Sequence, residues 1–152
     1  MVWKLLLYLV LPFACIWARR QEQRILRRGV ALNDLQQEDA RRVGVVYPDR
    51  VRLRIVDDVP PRLHPILRWA CRRLGMADSA GMSLRYGIYI HADYWRDRSV
   101  LVHELVHTAQ YERAGSMWRF LREYLRECFT LGYERSSLEL EARRLSHDVC
   151  QQ

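Results

Sequence analysis

The chain has 152 residues, enough for one compact domain and too few for two. Apolar residues make up 49% and charged residues 28%, a balance that excludes a disordered chain and permits a buried core. The net charge is +7, carried almost wholly by arginines that are scattered in pairs (19–20, 27–28, 41–42, 72–73, 143–144), with Lys4 the only lysine. No nucleic-acid-binding motif accompanies them, so solvated helix faces and lipid headgroups are the expected partners, and nucleic acid is not.

Residues 1–18, "MVWKLLLYLVLPFACIWA", open the chain, and "RRQEQRILRR" follows. The apolar run Leu5–Ala18 is short against the roughly 20 residues of a spanning helix, but Val2 and Trp3 extend it if Lys4 snorkels. Trp3 and Trp17 sit near its ends, as interfacial anchors do. A cleaved signal peptide ending at Ala18 fits poorly, because Ile16 and Trp17 precede the site and two arginines follow it. A lipoprotein at Cys15 fits poorly too, with Pro12 and Phe13 in place of a leucine and a small residue. An uncleaved membrane anchor is the expectation, ahead of a signal peptide and of a buried or interfacial helix. Arg19, Arg20, Arg24, Arg27 and Arg28 would keep the following domain cytoplasmic by the positive-inside rule; the alternative is a secreted or periplasmic domain.

Residues 19–50 read as a basic, partly helical linker with Gly29 as a break, and residues 51–152 as the folded domain. "VRLRIVDDVP", 51–60, alternates Val51, Leu53 and Ile55 with arginines, the period of a half-buried strand ended by Pro60 and Pro61. "HPILRWACRRLG", 64–75, has helical spacing. "MSLRYGIYIHADY", 82–94, alternates and predicts a second strand, in which Gly87 weakens the pairing or marks a close backbone approach. Asp97 or Ser99 can cap a helix running to Gly115. A helix over 117–128 places Trp118, Leu121, Leu125 and Cys128 on one face. The last helix, 136–150, has Ser136 or Ser137 as its cap. Cys15, Cys71, Cys128 and Cys150 form no C-x-x-C pair, which points to reduced thiols and a reducing compartment.

"LVHELVHTAQ", residues 101–110, carries the chemistry. Histidines four apart on a helix point the same way, so His103 and His107 can bind one tetrahedral zinc ion. Glu104 then lies beside the metal, where it can take a proton from water. Val100, Leu101, Val102, Leu105 and Val106 make this helix largely buried, and polar residues there are costly without partners. A catalytic zinc needs a third protein ligand and an open position. No third histidine follows closely, so the candidates are Glu123, Glu127, Glu134, Glu139 and Glu141. Tyr133 and His147 are candidate donors to an oxyanion. Gly87 and Tyr89 belong to a segment, 87–90, that can serve as the edge pairing with an extended peptide. His64 and His91 read as structural or surface residues.

"HELVH" followed by "SLELEA" resembles the gluzincin metallopeptidases, especially the integral-membrane kind and a group of small bacterial metallopeptidase-like domains. The resemblance covers roughly residues 82–145. It implies that the third zinc ligand is the first glutamate of a Glu-x-x-Ala element, here Glu139, followed by Leu140, Glu141 and Ala142. Membrane gluzincins usually carry aspartate after that alanine, where this chain has Arg143. Glu127 stands at a separation from His107 that resembles the thermolysin group, without the asparagine that precedes the ligand there. The expectation is therefore an α+β, zincin-like fold. A small sheet packs on the HExxH helix, C-terminal helices follow, and a membrane helix stands at the N-terminus. The implied activity is zinc-dependent hydrolysis of peptide bonds in a peptide or protein substrate. The alternative is a zinc-stabilised, membrane-tethered scaffold with little turnover.

Overall fold

The computed structural model describes residues 2–61, 68, 71, 72 and 79–152. The helix expected over 64–75, with His64, falls outside the described residues except for Arg68, Cys71 and Arg72. The architecture is α+β: among the described residues, five helices given below surround a four-stranded mixed sheet. The helices are α1 (Val2–Arg28), α2 (Asp34–Arg42), α3 (Arg98–Ala114), α4 (Met117–Leu131) and α5 (Ser137–Cys150). The strands are β1 (Val30–Ala31), β2 (Arg52–Val56), β3 (Gly81–Leu84) and β4 (Gly87–His91), in the order β1-β2-β4-β3. β2 and β4 are parallel, and the outer pairings are antiparallel.

Alternation along β4 sorts the core into two layers. Ile88 and Ile90 pack with Val102, Leu105, Val106 and Ala109 of α3. Tyr89, between them, points to the other layer, with Ala18 and Ile25 of α1 and with Phe120 of α4. Gly87 permits that approach, since a Cβ there would stand 3.0 Å from Ile25 Cβ. In and just before β2 the alternation is only half realised: Val51 and Leu53 join the α3 layer, but Ile55 is exposed.

α1 departs most from expectation. It runs through the anticipated boundary at residue 18 as one 27-residue helix. Leu7, Leu11, Cys15, Ala18, Glu22 and Ile25 form a buried stripe at spacings of three and four. Full burial of Leu7, Leu11 and Ile25 contributes about 1.5–3 kcal/mol each. That sum rivals the ~5–15 kcal/mol stability of a whole domain, so α1 belongs to the core and is not an appendage. Among the described residues no helix is long and apolar enough to cross a membrane. The run expected as a spanning anchor is the first part of α1, and its inner face packs on the domain, Leu7, Leu11 and Cys15 clustering with Leu125 of α4. The basic stretch after it, expected as a partly helical linker broken at Gly29, is helical on both sides of that glycine. It continues α1, then forms β1 and α2, whose start is a capping box between Asn33 and Gln36.

The single strand expected over 82–94 is a hairpin, β3 and β4, turning at Arg85 and Tyr86. Arg85 adopts φ 64°, a left-handed conformation uncommon for arginine. Tertiary bonds hold it there. Arg85 Nε donates to Glu22 of α1 at 2.9 Å, and Thr108 Oγ1 of α3 donates to the Arg85 carbonyl at 2.7 Å. On α4, Phe120 is buried and Trp118 is exposed, a rotation of the expected face.

Candidate metal centre

α3 starts at an N-cap, Asp97, which accepts from Ser99 N–H, and ends at Gly115 with φ 77°. Arg98 clamps it to α2 through a two-pronged pair with Asp39, at 2.8 and 2.9 Å. On this fixed helix His103 and His107 stack edge to face, with ring centroids 4.9 Å apart. Glu139, in the first turn of α5, reaches both. His107 Nε2 lies 3.2 Å from Glu139 Oε1, and His103 Nε2 lies 3.3 Å from Oε2. The three side chains can hold a metal ion, their ligand atoms all lying within 4.8 Å of one another. Glu139 and His107 are buried, and His103 is the member that reaches solvent, its side chain 20% exposed.

The other candidate carboxylates are used elsewhere. Glu127 sits at the start of α5, accepting from Ser137 N–H (2.7 Å), Leu138 N–H (3.4 Å), Ser136 Oγ (2.8 Å) and Ser137 Oγ (2.7 Å). Ser136, expected as the cap, makes no capping bond itself. Burial opposes ionisation of Glu127, but those donors win and hold its pKa below the ordinary carboxylate value. Glu141 pairs with Arg113 and Gln110, Glu123 with Arg126, and Glu134 with Arg143. Arg143 also lies over the ring of Tyr133, 5.9 Å from its centroid. His147 is exposed and turned to Asp148.

Three residues at the centre were not singled out from the sequence. Gln110 Nε2 donates to the Leu138 carbonyl (2.9 Å) and to Glu141 (2.7 Å), so its oxygen is the atom 2.7 Å from His107 Nδ1. His107 Nδ1 must then be the donor, and Nε2 is left facing Glu139. Gln110 stands three residues after His107 on the same helix face, a spacing that could have revealed it. Tyr124 of α4 donates to Glu139 Oε1 at 2.7 Å; no local pattern announces it, because it arrives through helix packing. Gly81 abuts Glu104, its Cβ position being 2.8 Å from Glu104 Cγ.

The electrostatics follow from burial. Glu139 Oε2 is buried without a hydrogen-bond partner, close to His103 but out of line with it. A neutral His107 would turn a lone pair toward the Glu139 carboxylate. Something positive has to lie between them, a proton or a metal ion. Burial lowers the pKa of His107, but the bond to Glu139 and the charges of Glu104 and Glu139 outweigh it and raise the value to about 9. The pKa of Glu139 falls well below the usual carboxylate range: burial raises it, and the two histidines with Tyr124 pull it down. Glu104 is fully enclosed, and burial pushes its pKa up against the histidines and a bond from Ser83 N–H. Tyr133 is raised, by burial first and then by Glu139 and Glu104, so its phenol keeps its proton beside the site.

Gly87 and Tyr89 do not form the expected free edge. β4 is hydrogen-bonded on both sides, Gly87 lies against α1, and Tyr89 Oη is bonded to Gln21. The parallel pairing of β2 to β4 puts β3 at the rim of the sheet, nearest Glu104. Comparison with protein-family models, curated proteins and solved structures finds no match to this chain.

Proposed function

We propose that the chain is a zinc-dependent metallopeptidase of gluzincin type, with a zincin-like fold and with His103, His107 and Glu139 as metal ligands. One observation carries this reading: two histidine nitrogens and an otherwise orphaned carboxylate oxygen converge in a buried site beside a second, enclosed carboxylate. The spacing suits zinc. One ligand atom from each of the three side chains lies within 4.8 Å of the others, and Glu139 turns one oxygen to each histidine at 3.2 and 3.3 Å, a span that one ion with bonds of about 2.0–2.2 Å can bridge. Gln110 and Tyr124 hold His107 and Glu139 as outer partners of metal ligands do.

Zinc held there would polarise a water and the scissile carbonyl of a peptide or protein substrate. Glu104 takes the proton of the attacking water and passes it to the leaving amine; its raised pKa makes it a stronger base for the first of these transfers. Tyr133, kept protonated, can donate to the developing oxyanion. Metal analysis of the full chain tests the reading. Near-stoichiometric zinc is expected in the wild type and in Glu104→Gln, and is lost in His107→Ala and Glu139→Ala. Peptide cleavage is expected in the wild type and absent in Glu104→Gln. A folded wild type without zinc would overturn the proposal, whereas zinc without cleavage would leave a metal-stabilised scaffold.

A further inference from the structure

α1 has a second face, opposite the stripe it buries. Leu5, Leu9, Phe13 and Ile16 continue at spacings of four, four and three, with Tyr8 beside them, and all five are exposed, between 51% and 71%. The same outer row then runs into Arg20, Arg24 and Arg27, with Arg19 and Arg28 at its flanks, all exposed. Along the helix the row is apolar for about 17 Å and basic for the next ~10 Å, at 1.5 Å per residue. Glu22, the one acidic residue of α1, is turned inward to Arg85 and the Tyr86 N–H. Among the described residues no salt bridge is recorded for these five arginines, so the basic half of the row keeps its charge for a partner.

We propose that this row is the seat of the protein on an anionic bilayer. α1 lies at the membrane surface with its inner face still packed on the domain. Leu5, Leu9, Phe13 and Ile16 enter the acyl boundary, while Arg20, Arg24 and Arg27 meet lipid phosphates. Charge selects this occupant. An apolar row beside uncompensated arginines matches a surface that offers acyl chain and phosphate together. A second copy of the chain would bring the same arginines against one another. The low exposure of the inner stripe and the absence of a helix suited to crossing, among the described residues, agree with a helix lying on the membrane. None of this rests on the metal site.

Vesicle flotation of the full chain tests it, with phosphatidylcholine vesicles either pure or containing about a third phosphatidylglycerol, the anionic component the arginines require. Wild type is expected to float with the anionic vesicles, to stay behind with pure phosphatidylcholine, and to be released by high salt or alkaline carbonate. Arg20→Gln/Arg24→Gln/Arg27→Gln should weaken partitioning on the order of a hundredfold, at about fivefold per arginine. Leu9→Gln/Phe13→Gln/Ile16→Gln should abolish flotation while leaving the melting temperature near that of wild type, because these side chains are exposed. Equal binding by wild type and both variants overturns the proposal, as does retention after carbonate, which would mean a spanning helix. Failure to float, with a dimer that the apolar variant dissociates, overturns it in favour of a second copy.

Discussion

Glu127 offers the sharpest check on how the site is assembled, because its two possible roles give opposite results. As the cap of α5 it accepts two backbone N–H groups and two serine hydroxyls. Loss of a helix cap costs about 0.5–2 kcal/mol, and stranding a buried polar group about 1–3 kcal/mol. Glu127→Ala should therefore destabilise the chain by about 3 kcal/mol, roughly 6–12 °C in melting temperature for a chain of this size. Glu139 sits in the turn that this cap starts, so zinc should bind more weakly as well. Glu127→Gln keeps an acceptor oxygen and the shape but loses the charge at the helix start, a change of about 0.3–1 kcal/mol. It should melt near wild type and keep its zinc. Thermal unfolding with metal analysis on the three proteins decides it. Zinc lost from a stable Glu127→Gln would make Glu127 the ligand and refute the capping argument, and an unchanged melt in Glu127→Ala would refute it equally.

Zinc bound as proposed would compete with a proton for His107. Its pKa is raised from 6.5 to about 9, so the stabilisation of the metal-free fold is complete below 6.5 and fades as pH rises through 9. Zinc affinity should move the other way, rising by up to about tenfold per pH unit across that window. Calorimetry in buffers of differing ionisation enthalpy should show proton release, and a flat affinity would count against the assignment. Gln110→Leu frees His107 Nδ1 from its acceptor and should weaken zinc by about 10–100-fold with the fold intact, measured by competition with a chelator. Gly81→Ala places a methyl group 2.8 Å from Glu104 Cγ. It should lower kcat by about 100-fold while zinc content holds, since a displacement near 1 Å at a reacting group has that effect; unchanged kcat would show that Glu104 has room to move.

The pattern of "LVHELVHTAQ" read through to structure because helix geometry alone brings residues four apart together. The caps at Asp97 and Gly115 were legible for the same local reason. What is settled by tertiary packing was not. "MSLRYGIYIH" has no glycine or asparagine at its turn, so the hairpin at Arg85 was invisible until Glu22 and Thr108 were seen to hold it. The choice among the glutamates needed the packing of α4 on α5, which shows Glu127 at a helix start and Tyr124 at Glu139. The N-terminal run misled through composition. A helix with apolar residues on both faces has the same letters as a spanning segment, and only burial separates the inner stripe from the outer row.

Many surface-bound enzymes hang from the membrane by a flexible stalk and sweep a hemisphere of solution beneath it. That freedom is missing here. The helix with the exposed apolar row also supplies Ile25 to the core and Glu22 to the turn before β4. If α1 seats on a bilayer and the metal site is catalytic, both as proposed, the helix that forms the seat also packs into the domain that carries the site, so the height and tilt of the site above the bilayer would be set by the fold itself. Such a geometry selects what it meets by position. Chains emerging from the membrane at that height would be within reach, and the same sequence diffusing free would gain nothing from it.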